Sequence, residues 1–88
     1  MKRDYLTRMK GSIIHTMTMK ELEKPDMFKC TKIITFIDKI LIGKIKKDIP
    51  AHLLNFAKML EYSNDSKLRK IGSIFKQMYE TEIEEMQQ

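Results

Sequence analysis

The chain has no tryptophan, one cysteine, two prolines, three glycines and two alanines among its 88 residues. Each scarcity removes a class of structure. A lone Cys30 cannot close an intrachain disulfide, so the chain is not a stapled secreted scaffold, and a reducing, cytoplasmic setting is expected. With so few glycines and prolines there is little to turn short strands back on themselves, which favours long helices. No stretch approaches the roughly 20 apolar residues that span a bilayer, and the charged start (Lys2, Arg3, Asp4, Arg8, Lys10) lacks a signal-peptide core. No membrane association is expected.

Chemistry-bearing motifs are equally sparse. His15, Cys30 and His52 stand apart, with no CxxC or HxxxH spacing and no glycine-rich phosphate loop. Catalysis needs convergent groups. Nothing here assigns a catalytic residue, a cofactor, a metal or a small-molecule substrate, so a non-enzymatic protein is expected. Glu80, Glu82, Glu84 and Glu85 read as the solvated acidic end of a helix, not as an acid/base pair in a dry pocket.

What is present is apolar and charged: 42% hydrophobic and 33% charged residues suffice for a globular core. A domain this small buries only about 60 to 65% of its unfolded surface. The net charge of +5 is unevenly placed, with twelve Lys/Arg against five Asp/Glu in residues 1–47 and five against seven in 48–88. Such asymmetry can serve a polyanion, although on a lysine-rich surface it is ordinarily solvated. Twelve isoleucines and fourteen lysines beside two alanines also fit an AT-rich genome, such as that of a virus or mobile element.

The longest apolar stretch, residues 27–45, organises the reading. At about 100° per residue, Cys30, Ile33, Ile34, Phe36, Ile37, Ile40 and Leu41 share a broad arc, which predicts a central helix. Pro25 suits its first turn, and Gly43 suits a left-handed C-cap. Before it, Leu6, Met9, Ile13 and Met17 continue a helical stripe across Gly11, giving one kinked helix or two short ones. Thr18 to Glu21 match a capping box that predicts a further short turn of helix up to Lys24. After it, Asp48 with Pro50 predicts a capped helix carrying Leu53, Leu54, Phe56, Ala57 and Leu60. Leu68, Ile71, Phe75, Met78, Ile83 and Met86 line the last helix. The prediction is a single all-α domain over 1–88, a small bundle of three main helices plus a shorter amino-terminal one, with segments at about 3–24, 25–43, 49–62 and 65–86.

Two surfaces stand out. Phe28, Thr35 and Ile42 recur every seven residues opposite the main arc, flanked by Lys32 and Lys39. Left uncovered, and joined by Met59 and Tyr62, they form a lysine-rimmed apolar patch suited to a protein partner. The second surface is a helix-turn-helix-like pair, 50–62 and 65–86, whose Ser66, Lys67, Arg69, Lys70 and Ser73 suit phosphates better than base edges. The expected function is a small regulatory protein that binds a macromolecule, first of all a protein, and modulates it, with a homodimer in view. The alternative is a DNA-binding transcriptional regulator.

Overall fold

The computed structural model describes residues 3–87. They form four helices and no strand: α1 (Arg3–Met19), α2 (Lys24–Leu41), α3 (Ile49–Glu61) and α4 (Ser66–Met86). An all-α bundle is therefore correct.

Helix α1 is uninterrupted through Gly11. A helix-interior glycine costs about 1 kcal/mol relative to alanine. Burial of Leu6 and Ile13 on either side outweighs that cost. The helix stops at Met19, and residues 20–23 are connection, so the expected capped turn beginning at Thr18 does not form. Its hydroxyl instead donates back to the Ile14 carbonyl at 2.9 Å, inside the last turn of α1.

Helix α2 starts where proline predicts, with Pro25 in its first turn. It ends in a Schellman arrangement: Gly43 has φ +83°, its N–H donates to the Ile40 carbonyl at 3.1 Å, and that of Lys44 to Lys39 at 2.9 Å. Pro50 likewise opens α3. Asp48 stands at its N-cap position but in left-handed backbone (φ 60°, ψ 30°), and its side chain caps nothing. Side-chain capping needs extended backbone at that residue. Asp65, with φ −90° and ψ 124°, meets that condition, and its carboxylate accepts from the Leu68 N–H at 3.0 Å.

The helices pack in a ring: the backbone of α1 runs beside those of α2 and α4, that of α3 beside those of α2 and α4, and the diagonal pairs stand farther apart across the core. The breadth of the α2 arc has its explanation here, since α2 serves two neighbours. Cys30, Ile33, Ile37 and Ile40 are fully enclosed, while Ile34, Phe36 and Leu41 are half-buried. However, α2 is not the centre of the bundle. The closest-packed pair is α3 and α4, where Gly72 lets the helices approach Leu60 and Ala57, and Phe56 meets Phe75 edge-on at 5.3 Å. Met86, expected on the buried side, is exposed. At 1.5 Å per residue α4 is about 31 Å long and α3 about 20 Å, so the last turn of α4 outruns its neighbour.

Candidate functional site

Helix α2 divides its residues cleanly between two faces. Asp26, Cys30, Ile33, Ile37 and Ile40 point inward, and the residues half a turn away, Phe28, Thr35 and Ile42, point outward. Phe28 is 64% exposed and Ile42 68% exposed. Helix α1 leaves this face open because it lies to one side, where Lys10 pairs with Asp38 and Arg3 donates to the Leu41 carbonyl.

The row is a strip, not a compact patch. Phe28 and Ile42 are four turns apart, about 21 Å along the axis. Lys32 holds its ammonium 5.4 Å from the centre of the Phe28 ring. Lys39 sits 5.7 Å from the half-buried ring of Phe36, which in turn lies against His52 of α3. Thr35 donates its hydroxyl to the Thr31 carbonyl at 2.9 Å, so that proton is committed within the helix.

Met59 and Tyr62 belong to the end of α3 that lies nearest the start of α2. The C-terminus of α3 lies at the N-terminus of α2, as the Ser63 hydroxyl shows by donating to Asp26 at 3.0 Å. Tyr62 is 83% exposed there, whereas Met59 is half-buried against the core. Phe28 and Lys32 therefore lie at one end of the strip, Thr35 and Lys39 in the middle, and Ile42 alone at the other, while no hydrogen bond or ring contact among the described residues joins Tyr62 to it.

Beside Phe28 is a polar latch that hydrophobic periodicity does not reveal. Buried Asp26 accepts from buried Ser63, whose oxygen also accepts the Asp65 N–H at 3.1 Å. Lys20 pairs with Asp65 at 3.0 Å, and Asn64 donates to Glu23 at 3.0 Å. The latch thus ties the α1–α2 connection to the α3–α4 turn. Partial burial pushes the Asp65 carboxyl up, but Lys20 and the N–H groups of Leu68 and Lys67 outweigh it and hold the group below the usual carboxylate range. Burial, reinforced by Asp26 and Asp65, pushes the Cys30 thiol up to about 11. The run Ser63 to Ser66 marks this turn in the sequence; the buried partner on α2 does not follow from it.

The residues considered for nucleic acid are placed differently. Ser66, Lys67 and Lys70 are exposed on the first turns of α4. Arg69 is partly committed, since its guanidinium donates to the Ser63 carbonyl at 2.7 Å, and Ser73 donates to the Arg69 carbonyl. Between α3 and α4 runs a groove of about 440 Å³ lined by Leu54, Ala57, Glu61, Arg69, Gly72 and Lys76. Leu60 meets Gly72 and Phe56 meets Phe75, so α3 and α4 run antiparallel.

Among the described residues, no group of three or more His, Cys, Asp or Glu side chains could hold a metal ion, and no helix is long and apolar enough to cross a membrane. Cys30 lies towards the latch, and His52 lies near the start of α3 at the other end of the bundle. No family model matches the chain, and neither a curated protein nor a solved structure matches it.

Proposed function

We propose that this chain is a small non-enzymatic regulatory protein that binds a protein partner through the outer face of α2 and thereby modulates the partner's activity. The observation that supports this most is Phe28, a large apolar ring 64% exposed beneath the Lys32 ammonium. The core gains nothing from that ring, because the opposite face of α2 supplies the core. An exposed aromatic flanked by a cation is the kind of group that becomes an energetic anchor once water is excluded. Lys32 and Lys39 along the strip, with Phe28 and Ile42 exposed beyond them at either end, favour a partner surface that combines apolar pockets with carboxylates. A viral or mobile-element source fits the isoleucine- and lysine-rich composition.

The test is capture from nuclease-treated host extract with wild-type bait and with a Phe28→Asp, Ile42→Asp bait, followed by titration of the purified partner. A protein held by the first and lost by the second supports the reading. Equal retention by both baits overturns the assignment of the surface.

The alternative reading is a DNA-binding regulator using Ser66, Lys67, Arg69, Lys70 and Ser73. It draws on the exposure of Lys67 and Lys70, but the committed guanidinium of Arg69 lends it less support. On that reading, Lys67→Glu with Lys70→Glu abolishes DNA binding, and wild-type affinity falls with a log-log salt slope of several units.

A further inference from the structure

On the side of the bundle away from α2, the charged side chains within α4 run against its dipole, which only the N-cap Asp65 complements. Helices are stabilised by acidic residues in the first turn and basic residues in the last. Helix α4 has no acidic residue in its first turn and no basic residue in its last. Lys67 and Lys70 occupy its start, and Glu84 and Glu85 its end. Those four side chains form no ion pair among the described residues, so the isolated chain gains nothing from the arrangement.

Their placement has a second regularity. Lys67, Lys70, Ile74, Gln77, Thr81 and Glu84 follow one another at alternating steps of three and four, and all are exposed. They therefore form a single stripe along the outside of α4. Ile74, 38% exposed, is its apolar centre. Beside it, between α1 and α4, lies an open groove of about 610 Å³ lined by Tyr5, Met9, Ile74 and Met78 and edged by Glu85. The stripe is basic at one end, acidic at the other, and uncharged between them through Ile74, Gln77 and Thr81. Such a surface is complementary to itself when reversed.

We infer that a second copy of this chain docks antiparallel along the outer stripe of α4. With the two-fold axis between Ile74 and Gln77, Lys67 and Lys70 of each copy come within about a turn of Glu84 and Glu85 of the other. Ile74 of each copy then faces the groove beside the other's Met78. The contact is isologous, so every favourable pairing occurs twice. The two macrodipoles also run antiparallel, and each helix end meets charges of the sign its own dipole prefers. Because α2 lies diagonally across the ring from α4, docking leaves the Phe28 face of both copies open.

The test uses purified chain alone, so it stands or falls separately from partner capture. Sedimentation equilibrium of the wild type should report about twice the 10.5 kDa monomer mass. Lys67→Glu with Lys70→Glu, and separately Glu84→Lys with Glu85→Lys, should each be helical and monomeric. An equimolar mixture of the two should recover the dimer mass, since each variant then meets opposite charge at both ends. Ile74→Gln, which leaves the charges alone, should weaken dimerisation at least tenfold. A wild type that stays monomeric at millimolar concentration overturns the inference. So does a dimer unaffected by Ile74→Gln or by either charge reversal.

Discussion

Gly72 offers the sharpest quantitative test of how the bundle is packed. Replacing a helix-interior glycine by alanine gains about 1 kcal/mol when the new methyl meets open space. Gly11 is such a site, with nothing within 4 Å of an added Cβ. At Gly72 the same methyl would lie 3.0 Å from the Leu60 Cβ and 3.3 Å from the Ala57 carbonyl oxygen. Ordinary carbon contacts are about 3.5 to 4.0 Å. Both neighbours belong to the α3 backbone or sit directly on it, so no rotamer change relieves the crowding. The two helices must separate, disturbing the Phe56–Phe75 contact that their approach creates. Overpacking of this kind costs about 1 to 3 kcal/mol. The propensity gain is common to both substitutions, so the difference between Gly11→Ala and Gly72→Ala isolates the crowding. In a domain of 88 residues, 1 kcal/mol moves the midpoint by about 4 to 8 °C. Thermal unfolding by circular dichroism should place Gly11→Ala above wild type and Gly72→Ala about 4 to 24 °C below Gly11→Ala. A Gly72→Ala variant as stable as Gly11→Ala would refute close packing of α3 on α4.

Three further predictions follow from single residues. The folded-state pKa of Asp65 is lowered, so its charge stabilises the fold above the unfolded value of about 3.9 and ceases to do so as pH falls through the lower folded value. Asp65→Asn keeps a capping side chain but removes the charge; its melting deficit should be present at pH 7 and close in acid, and a deficit constant with pH would contradict the Lys20 pairing. Asp48→Gly removes a Cβ from left-handed backbone without losing a cap, and should stabilise by about 1 kcal/mol in urea unfolding; destabilisation would mean that the Asp48 side chain has a role the hydrogen bonds do not show. Cys30, enclosed and with its thiol pushed up to about 11, should resist a thiol reagent at pH 8 in the folded protein and react at the unfolding-limited rate. Fast labelling without denaturant would place it near the surface.

What could be read in the sequence was what local chemistry decides. Pro25, Gly43 and Pro50 set helix boundaries through dihedral limits that act within one or two residues. The wheel of α2 also separated Ile33 and Ile37 from Phe28 and Ile42 correctly. Where two local signals competed, tertiary burial decided. Gly11 suggested a stop, but the continuous stripe around it prevailed; Thr18 matched a cap, yet α1 kept its hydroxyl. Nothing local marks Gly72, because its role depends on a helix approached from outside its own segment. The latch was illegible for the same reason, since Asp26 and Ser63 are 37 residues apart and neither announces the other. On the candidate surface, the sequence posed the question of coverage but could not say where α1 would lie. Lys10 and Arg3 answer it by pairing with the Asp38 side of α2.

The division of α2 into an inner face that holds the bundle and an exposed outer face is tested most directly by comparing two double substitutions in thermal unfolding. Phe28→Asp with Ile42→Asp touches only exposed side chains, and should shift stability by no more than about 1 kcal/mol, the worth of the Lys32 contact with Phe28. Ile33→Asp with Ile37→Asp places two carboxylates among fully buried side chains and should abolish cooperative folding. The account predicts a sharp transition near the wild-type midpoint for the outer pair and none for the inner. Loss of the folded state in the outer pair would contradict it, because Phe28 and Ile42 would then be core.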